Sequence, residues 1–317
     1  MKNINILSIF SLLWLLSTTL VVAQPGQGSG GMKPQKAETN WIKTKYLNLA
    51  YASKSPTQKL DIYLPNEGVG PFPVIISIHG GAFKFGDKAD GQLTPMLEGL
   101  KHGYAVVGVN YRLSGEALYP AQINDIKAAI RFLRANASEY NLDKGKFATW
   151  GASAGGNLSA MAGTSGDVKE LEDLSLGNAD ESSRVQAVVD WFGPIDFLQM
   201  DPQFIASGKG KADHSEAGSP ESMLLGQKIT NVPELVKLAN PTTYISADDP
   251  PFLIQHGTED MMVPTQQSEN FAAALQKFTG NEKVTLTLLQ GANHGGKQFE
   301  DASNLKIVFE FLDKSLK

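Results

Sequence analysis

The chain has 317 residues, of which 42% are hydrophobic and 19% charged, a balance that builds a full-sized core and excludes wholesale disorder. Its 28 basic and 33 acidic side chains leave a net charge of −5, with no broad basic field to gather phosphates, so nucleic acid is not expected as a partner. Cysteine is absent, which removes disulfides, thiolate metal sites and a cysteine nucleophile together.

Lys2 is followed by an apolar run from residue 4 to 20 and then by Val21-Val22-Ala23, small residues suited to cleavage. Residues 1–23 therefore read as a secretory signal peptide; the rival, a membrane anchor, is disfavoured because the run is short for a span and no basic cluster follows it. The mature chain is expected in periplasm or medium, without a stable membrane anchor. Residues 24–40 contain four glycines, two prolines and no aromatic side chain, so they are expected to be a disordered linker. Gly26, Gly28 and Gly31 match the spacing of a dinucleotide fingerprint, but no strand precedes them and Pro34 stands where a helix should run.

From Trp41 onward short apolar runs alternate with amphipathic stretches, the pattern of an α/β fold with a mainly parallel central sheet flanked by helices. Residues 47–51 and 60–64 are expected to form a leading antiparallel pair. Further strands are expected at 74–78, 105–109, 147–150, 187–192, 251–255 and 284–289. Ile123, Ile126, Ile130 and Leu133 make one helical apolar face; Phe271, Ala274, Leu275 and Phe278 make a second, and Leu305, Val308, Phe309 and Leu312 a third. Residues 194–249 are rich in Gly, Ser, Pro and Lys with scattered apolar residues, and read as a cap-like insertion. No fixed-period repeat is visible.

After the strand ending at Trp150 comes Gly151-Ala152-Ser153-Ala154-Gly155-Gly156, then a run of small residues. A serine between a buried strand and a helix sits on a sharp turn, and the flanking glycines let neighbouring backbone pass. Its hydroxyl is then exposed beside a helix N-terminus, where developing negative charge is favoured. Ser153 is the expected nucleophile; a merely structural Gly-rich turn is the alternative.

The strand at 74–78 runs into His79-Gly80-Gly81-Ala82-Phe83, and with Gly-x-Ser-x-Gly this resembles the α/β-hydrolases of the carboxylesterase and lipase type. The likeness extends over Lys59-Leu60-Asp61-Ile62-Tyr63-Leu64-Pro65, Tyr119-Pro120-Ala121-Gln122 and Trp191-Phe192-Gly193-Pro194, and is greatest to the bacterial depolymerase and feruloyl-esterase-like branch. The resemblance implies an oxyanion hole from the backbone N–H groups of Gly81, Ala82 and Ala154, with Ala82 standing where many relatives have a third glycine. His79 is then expected to pin this loop. A serine hydroxyl needs a general base. Of five histidines, His102 precedes a strand, His214 lies in the insertion and His256 ends a strand. His294, in Gly291-Ala292-Asn293-His294-Gly295-Gly296 after the last strand, stands where the family places its base, with His256 as the rival. The orienting acid should fall between nucleophile and base at a strand end. Asp260, in Gly257-Thr258-Glu259-Asp260-Met261-Met262-Val263-Pro264, fits; Glu259, Asp190 and Asp196 remain alternatives.

The resemblance implies a serine esterase acting through an acyl-enzyme, with neither cofactor nor metal, whose branch includes esterases that strip acetyl or feruloyl groups from plant polysaccharides. A general short-chain carboxylesterase or lipase, a peptidase of related fold and a non-catalytic binding module are the rivals. Phe83, Phe85, Trp191, Met261 and Met262 adjoin the catalytic loops and are candidates for a substrate pocket. The insertion, with Phe204, Met223 and Leu224, is a candidate lid.

Overall fold

The computed structural model describes residues 35–166 and 168–317; the expected signal peptide and most of the expected linker lie outside the described residues. By residue 36 the chain is already seated on the domain. Lys36 bridges Asp90, and the Ala37 N–H donates to the Ala89 carbonyl at 3.0 Å. Residues 36 and 37, within the stretch expected to be linker, are thus held by the 87–90 loop.

In chain order the elements are β1 (Lys45–Ala50), β2 (Lys59–Tyr63), β3 (Phe72–Ile78), α1 (Thr94–Leu97), β4 (Ala105–Val109), α2 (Ala121–Ala135), β5 (Leu142–Ala152), α3 (Ala154–Thr164) and β6 (Ala187–Trp191). They continue with α4 (Phe197–Ser207), α5 (Pro220–Leu225), α6 (Pro233–Leu238), β7 (Phe252–Gly257), α7 (Gln266–Thr279), β8 (Val284–Leu289), α8 (Lys297–Glu300) and α9 (Ala302–Leu316). The described residues form an eight-stranded sheet in the order β1-β2-β4-β3-β5-β6-β7-β8. β1 and β2 are the expected antiparallel pair, β2 joins β4 antiparallel, and the remaining neighbours are parallel. The sheet is thus the mainly parallel one anticipated, and the fold is that of an α/β-hydrolase.

Side chains alternate across each strand, so Val74, Ile76 and Ile78 enter one core and Ile75 the other. The first core is closed by Ile123, Ile126, Ile130 and Leu133 of α2, Leu158 of α3 and Phe271 and Leu275 of α7. The second gathers Met96 and Leu97 of α1 and Val308, Phe309 and Leu312 of α9 around Trp150 and Trp191. On α7 the buried stripe is Phe271, Ala272 and Leu275 and continues to Thr279, while Phe278 is 54% exposed.

The 194–249 stretch is an ordered flank with three helices. Asp196 caps α4 by accepting from the Leu198 N–H, Ser219 caps α5 by accepting from Ser222, and Pro220 and Pro233 open α5 and α6, where a missing N–H costs no hydrogen bond. Phe197, Met200, Leu224, Ile229 and Val236 join the core on the α2 and α3 side. Phe204 and Leu224 are buried here, so they anchor the insertion instead of forming a movable cover. No helix among the described residues is long and apolar enough to cross a membrane.

Candidate active site

β5 delivers Ser153 at the carboxyl edge of the sheet with φ 56° and ψ −123°, a backbone conformation unusual for a residue with a side chain. The surroundings hold it there. The Ser153 N–H donates to the Trp191 carbonyl at 2.9 Å, and its own carbonyl accepts from the Asn157 N–H at 3.0 Å. The flanking glycines allow the crowding: a Cβ on Gly151 would lie 2.2 Å from the Gly155 carbonyl oxygen, and one on Gly155 would lie 2.0 Å from that of Ile78. α3 begins at Ala154, so its first N–H has no intrahelical acceptor and faces the nucleophile's end of the helix dipole.

The three candidate side chains meet. Ser153 Oγ donates to His294 Nε2 at 2.9 Å, and His294 Nδ1 donates to Asp260 Oδ2 at 2.7 Å. His294 sits between β8 and α8, and the acid loop follows β7. The two loops are laced together: the Glu259 N–H donates to the Ala292 carbonyl at 2.9 Å, and Asn293 Oδ1 accepts from the N–H groups of His294 at 2.8 Å and Met261 at 3.3 Å. The Phe192 ring packs 4.6 Å from the His294 ring, centroid to centroid. Asp260 is buried, and its Oδ1 accepts from the N–H groups of Met262 at 2.8 Å and Val263 at 2.9 Å. Burial alone would raise its carboxyl, but the bonds and charges of His256 and His294 outweigh that and hold it well below the usual carboxylate range. It stays ionised wherever the protein is folded at ordinary pH.

The rivals are engaged elsewhere. His79 is buried, its Nδ1 meets the Gly80 carbonyl at 2.8 Å, and its ring stacks on Tyr111, whose O–H donates to the His79 carbonyl at 3.0 Å. Burial lowers the proton affinity of that imidazole despite the Gly80 bond, which suits the pinning role expected of it. His102 stacks on Phe309, and His214 pairs with Glu221 at 3.1 Å. Glu259 faces solvent and pairs with Lys209 at 2.9 Å; Asp196 caps α4. Asp190 accepts from the Gly193 N–H at 2.9 Å, and burial pushes its carboxyl up to about 6, against the opposing effect of that bond and of His256. Both aspartates hold loops.

After β3 the chain turns through Gly81 (φ 110°), Ala82 (φ 55°) and Phe83 (φ 58°). The Gly81 carbonyl accepts from the N–H groups of both Lys84 and Phe85 at 2.9 Å, while Gln92 Oε1 accepts from the Gly80 N–H at 2.9 Å. Gly81 and Ala82 line the same cleft as Ser153 and His294, and no hydrogen bond among the described residues uses their N–H groups. A Cβ on Gly81 would lie 2.4 Å from the Phe85 carbonyl oxygen, so this turn too requires glycine.

That cleft has a volume of about 520 Å³ and mostly apolar walls, including Phe85, Met96, Trp191, Phe192, Met262 and Phe299. Of the pocket candidates, Phe85, Trp191 and Met262 line it. Phe83 does not: the left-handed turn carries it into the core, 1% exposed, with its ring 6.2 Å from that of Phe197. Met261 is exposed and does not line the cleft. No residue of the 194–249 insertion lines the cleft, so the lid expectation is not met. Met96, Phe192 and Phe299 were not singled out from the sequence. Nothing local marks them, since they come from three distant segments that only the fold joins. Past Pro95 and Glu300 the cleft adjoins a second depression of about 630 Å³ lined by Glu98, His102, Phe309, Glu310 and Asp313 among others.

Fold and geometry define an α/β-hydrolase with a Ser-His-Asp constellation at the carboxyl ends of its parallel strands. The family model of BD-FAE matches residues 60–275, and the chain belongs to that family. It is 30% identical over 242 residues to esterase LipC of Mycobacterium tuberculosis, an alignment covering 76% of this chain and 57% of LipC. The chain spans about half the length of the curated relatives it matches. A solved structure of a truncated carbohydrate esterase from gut microbiota is 35% identical with a TM-score of 0.78, covering 89% of this chain and 99% of that one. A bifunctional GH43-CE protein of Bacteroides eggerthii is 36% identical with a TM-score of 0.76, covering 86% of this chain and 35% of that one.

Proposed function

We propose that this protein is a carboxylic ester hydrolase working through a Ser153 acyl-enzyme, and that its natural esters are acyl groups on plant polysaccharide or oligosaccharide. The observation that carries the hydrolase reading is the unbroken chain Ser153–His294–Asp260, at 2.9 and 2.7 Å, opening on an apolar cleft. Asp260 holds His294 with its proton on Nδ1, so Nε2 is free to take the Ser153 proton as Oγ attacks the ester carbonyl carbon. The carbonyl oxygen becomes an oxyanion facing the N–H groups of Gly81, Ala82 and Ala154. Collapse breaks the bond to the alcohol oxygen, which leaves with the proton from Nε2. A water then gives its proton to Nε2, attacks the acyl carbon, and releases the acid as Oγ regains its hydrogen.

The relatives named as carbohydrate esterases support a sugar alcohol. So does the depression beyond Glu300, whose carboxylates accept hydrogen bonds from hydroxyl groups. The apolar cleft suits an acyl group as large as feruloyl while admitting acetyl. Export after cleavage near Ala23 fits a substrate that stays outside the cell, and N-terminal sequencing of the exported protein checks it.

The test is to incubate the protein and its Ser153→Ala variant with acetylated, feruloylated arabinoxylan and to quantify released acetate and ferulate. Release that depends on Ser153 is expected. No release, with p-nitrophenyl acetate still cleaved, replaces the polysaccharide substrate with small esters; activity retained in Ser153→Ala overturns the mechanism.

A further inference from the structure

The hydrolytic mechanism leaves one buried imidazole without a task. His256, at the end of β7, is fully enclosed. Its Nε2 faces two acceptors, the Val263 carbonyl at 3.0 Å and Asp260 Oδ2 at 3.2 Å, while its Nδ1 lies 2.7 Å from Ser268 Oγ on α7. Two acceptors at Nε2 require the proton there, so Nδ1 accepts from the Ser268 hydroxyl. Asp260 Oδ2 is therefore shared by two imidazole N–H groups, from His294 and His256, and Oδ1 by two backbone N–H groups.

We propose that His256 is a positioning residue for the catalytic acid: held by Ser268, it fixes the rotamer of Asp260 so that Oδ2 meets His294. His256 touches neither cleft nor nucleophile, so it acts only through Asp260. The ionisable groups that face it are Asp260 on the following loop, His294 across Asp260, and Asp190 on β6. The Phe192 ring lies edge-on to it, 6.4 Å between centroids. Removing the Nε2–H leaves Asp260 Oδ2 one hydrogen bond poorer and less closely placed, while Oδ1 stays tied to the N–H groups of Met262 and Val263. A carboxylate with fewer donors holds the imidazolium of His294 more tightly, so the acidic limb of the activity profile moves to higher pH.

The inference rests on the Ser153–His294–Asp260 reading, so Ser153→Ala runs alongside. For His256→Leu, kcat on p-nitrophenyl acetate should fall about tenfold at unchanged KM, as expected for loss of a hydrogen bond to a charged group. The acidic limb of kcat/KM should rise. His256→Gln, whose Nε2 is again a donor toward Asp260, should recover most of the loss. Asp190→Asn, with that site neutral at every pH, should leave the limb in place. Wild-type kcat and pH profile in folded His256→Leu, or a Gln variant as slow as Leu, overturns the proposal. If His256→Leu does not fold, Ser268→Ala decides: about threefold lower kcat with the same direction of shift supports it, and an unchanged enzyme overturns it. An active Ser153→Ala refutes the triad itself, whereas an inactive one beside unaffected His256 variants refutes only the role of His256.

Discussion

Replacing Asp260 by asparagine tests the site most sharply, because the structure dictates how the amide must lie. Oδ1 receives two backbone N–H groups, from Met262 at 2.8 Å and Val263 at 2.9 Å, so the amide oxygen of Asn has to occupy that position. The NH2 then stands where Oδ2 accepts His294 Nδ1 at 2.7 Å. A donor there forces His294 to accept at Nδ1 and to carry its proton on Nε2, which can no longer take a proton from Ser153. The charge is lost as well. At 2.7 Å and an effective dielectric constant of about 20, the attraction between carboxylate and the imidazolium formed during attack is about 6 kcal/mol, or about 10⁴-fold in rate. We expect kcat/KM on p-nitrophenyl acetate to fall by about 10⁴ with little change in KM. Glu259→Gln, which breaks only an exposed pair with Lys209, should stay near wild type. A fall of less than tenfold in Asp260→Asn, or a collapse in Glu259→Gln, refutes the assignment.

Three other outcomes are expected. The folded carboxyl of Asp190 is raised from 3.8 to about 6, so both states keep the proton below 3.8, and stability falls as pH rises toward 6, by about 3 kcal/mol in all. Urea unfolding of Asp190→Asn at pH 4 and pH 8 should show that variant gaining on wild type by about this amount across the interval, and a constant difference would refute it. Gly155→Ala drives a Cβ against the Ile78 carbonyl, so stability should drop by about 3 kcal/mol or soluble protein should be lost; wild-type melting and serine labelling by a fluorophosphonate would contradict the elbow geometry. The paired change Phe85→Ala with Met262→Ala should raise KM about tenfold for feruloyl esters and leave acetyl esters alone, read from steady-state kinetics on both; an equal effect on the two would remove these side chains from acyl recognition.

The sheet was legible because parallel strands buried on both faces announce themselves as runs such as Val74 to Ile78, and their order along the chain leaves few ways to connect them. Ser153, Asp260 and His294 were legible because each sits at a strand end in a short string with its own turn chemistry. The helices within the insertion were hidden by its overall composition. Phe197, Met200 and Phe204 stand at helical spacing on α4, but the intervening Pro202 and the glycines beyond masked it. Phe83 and Phe85 could not be told apart in sequence: a consecutive pair of left-handed residues, Ala82 and Phe83, decides which ring turns inward. Phe192 with φ 43° and Phe299 reach the cleft from segments over a hundred residues apart, a juxtaposition that no local pattern encodes.

The insertion packs on one flank of the sheet and contributes no residue to the lining of the cleft beside Ser153, which bears on the physical form of substrate this protein can use. Where a cover opens only at an interface, velocity jumps as substrate passes from monomers to droplets. Here no such jump is built in, so velocity should follow one hyperbola through the solubility limit. Ester groups fixed along an immobile fibre, unable to thread into a closed chamber, can be presented to an open notch from the side.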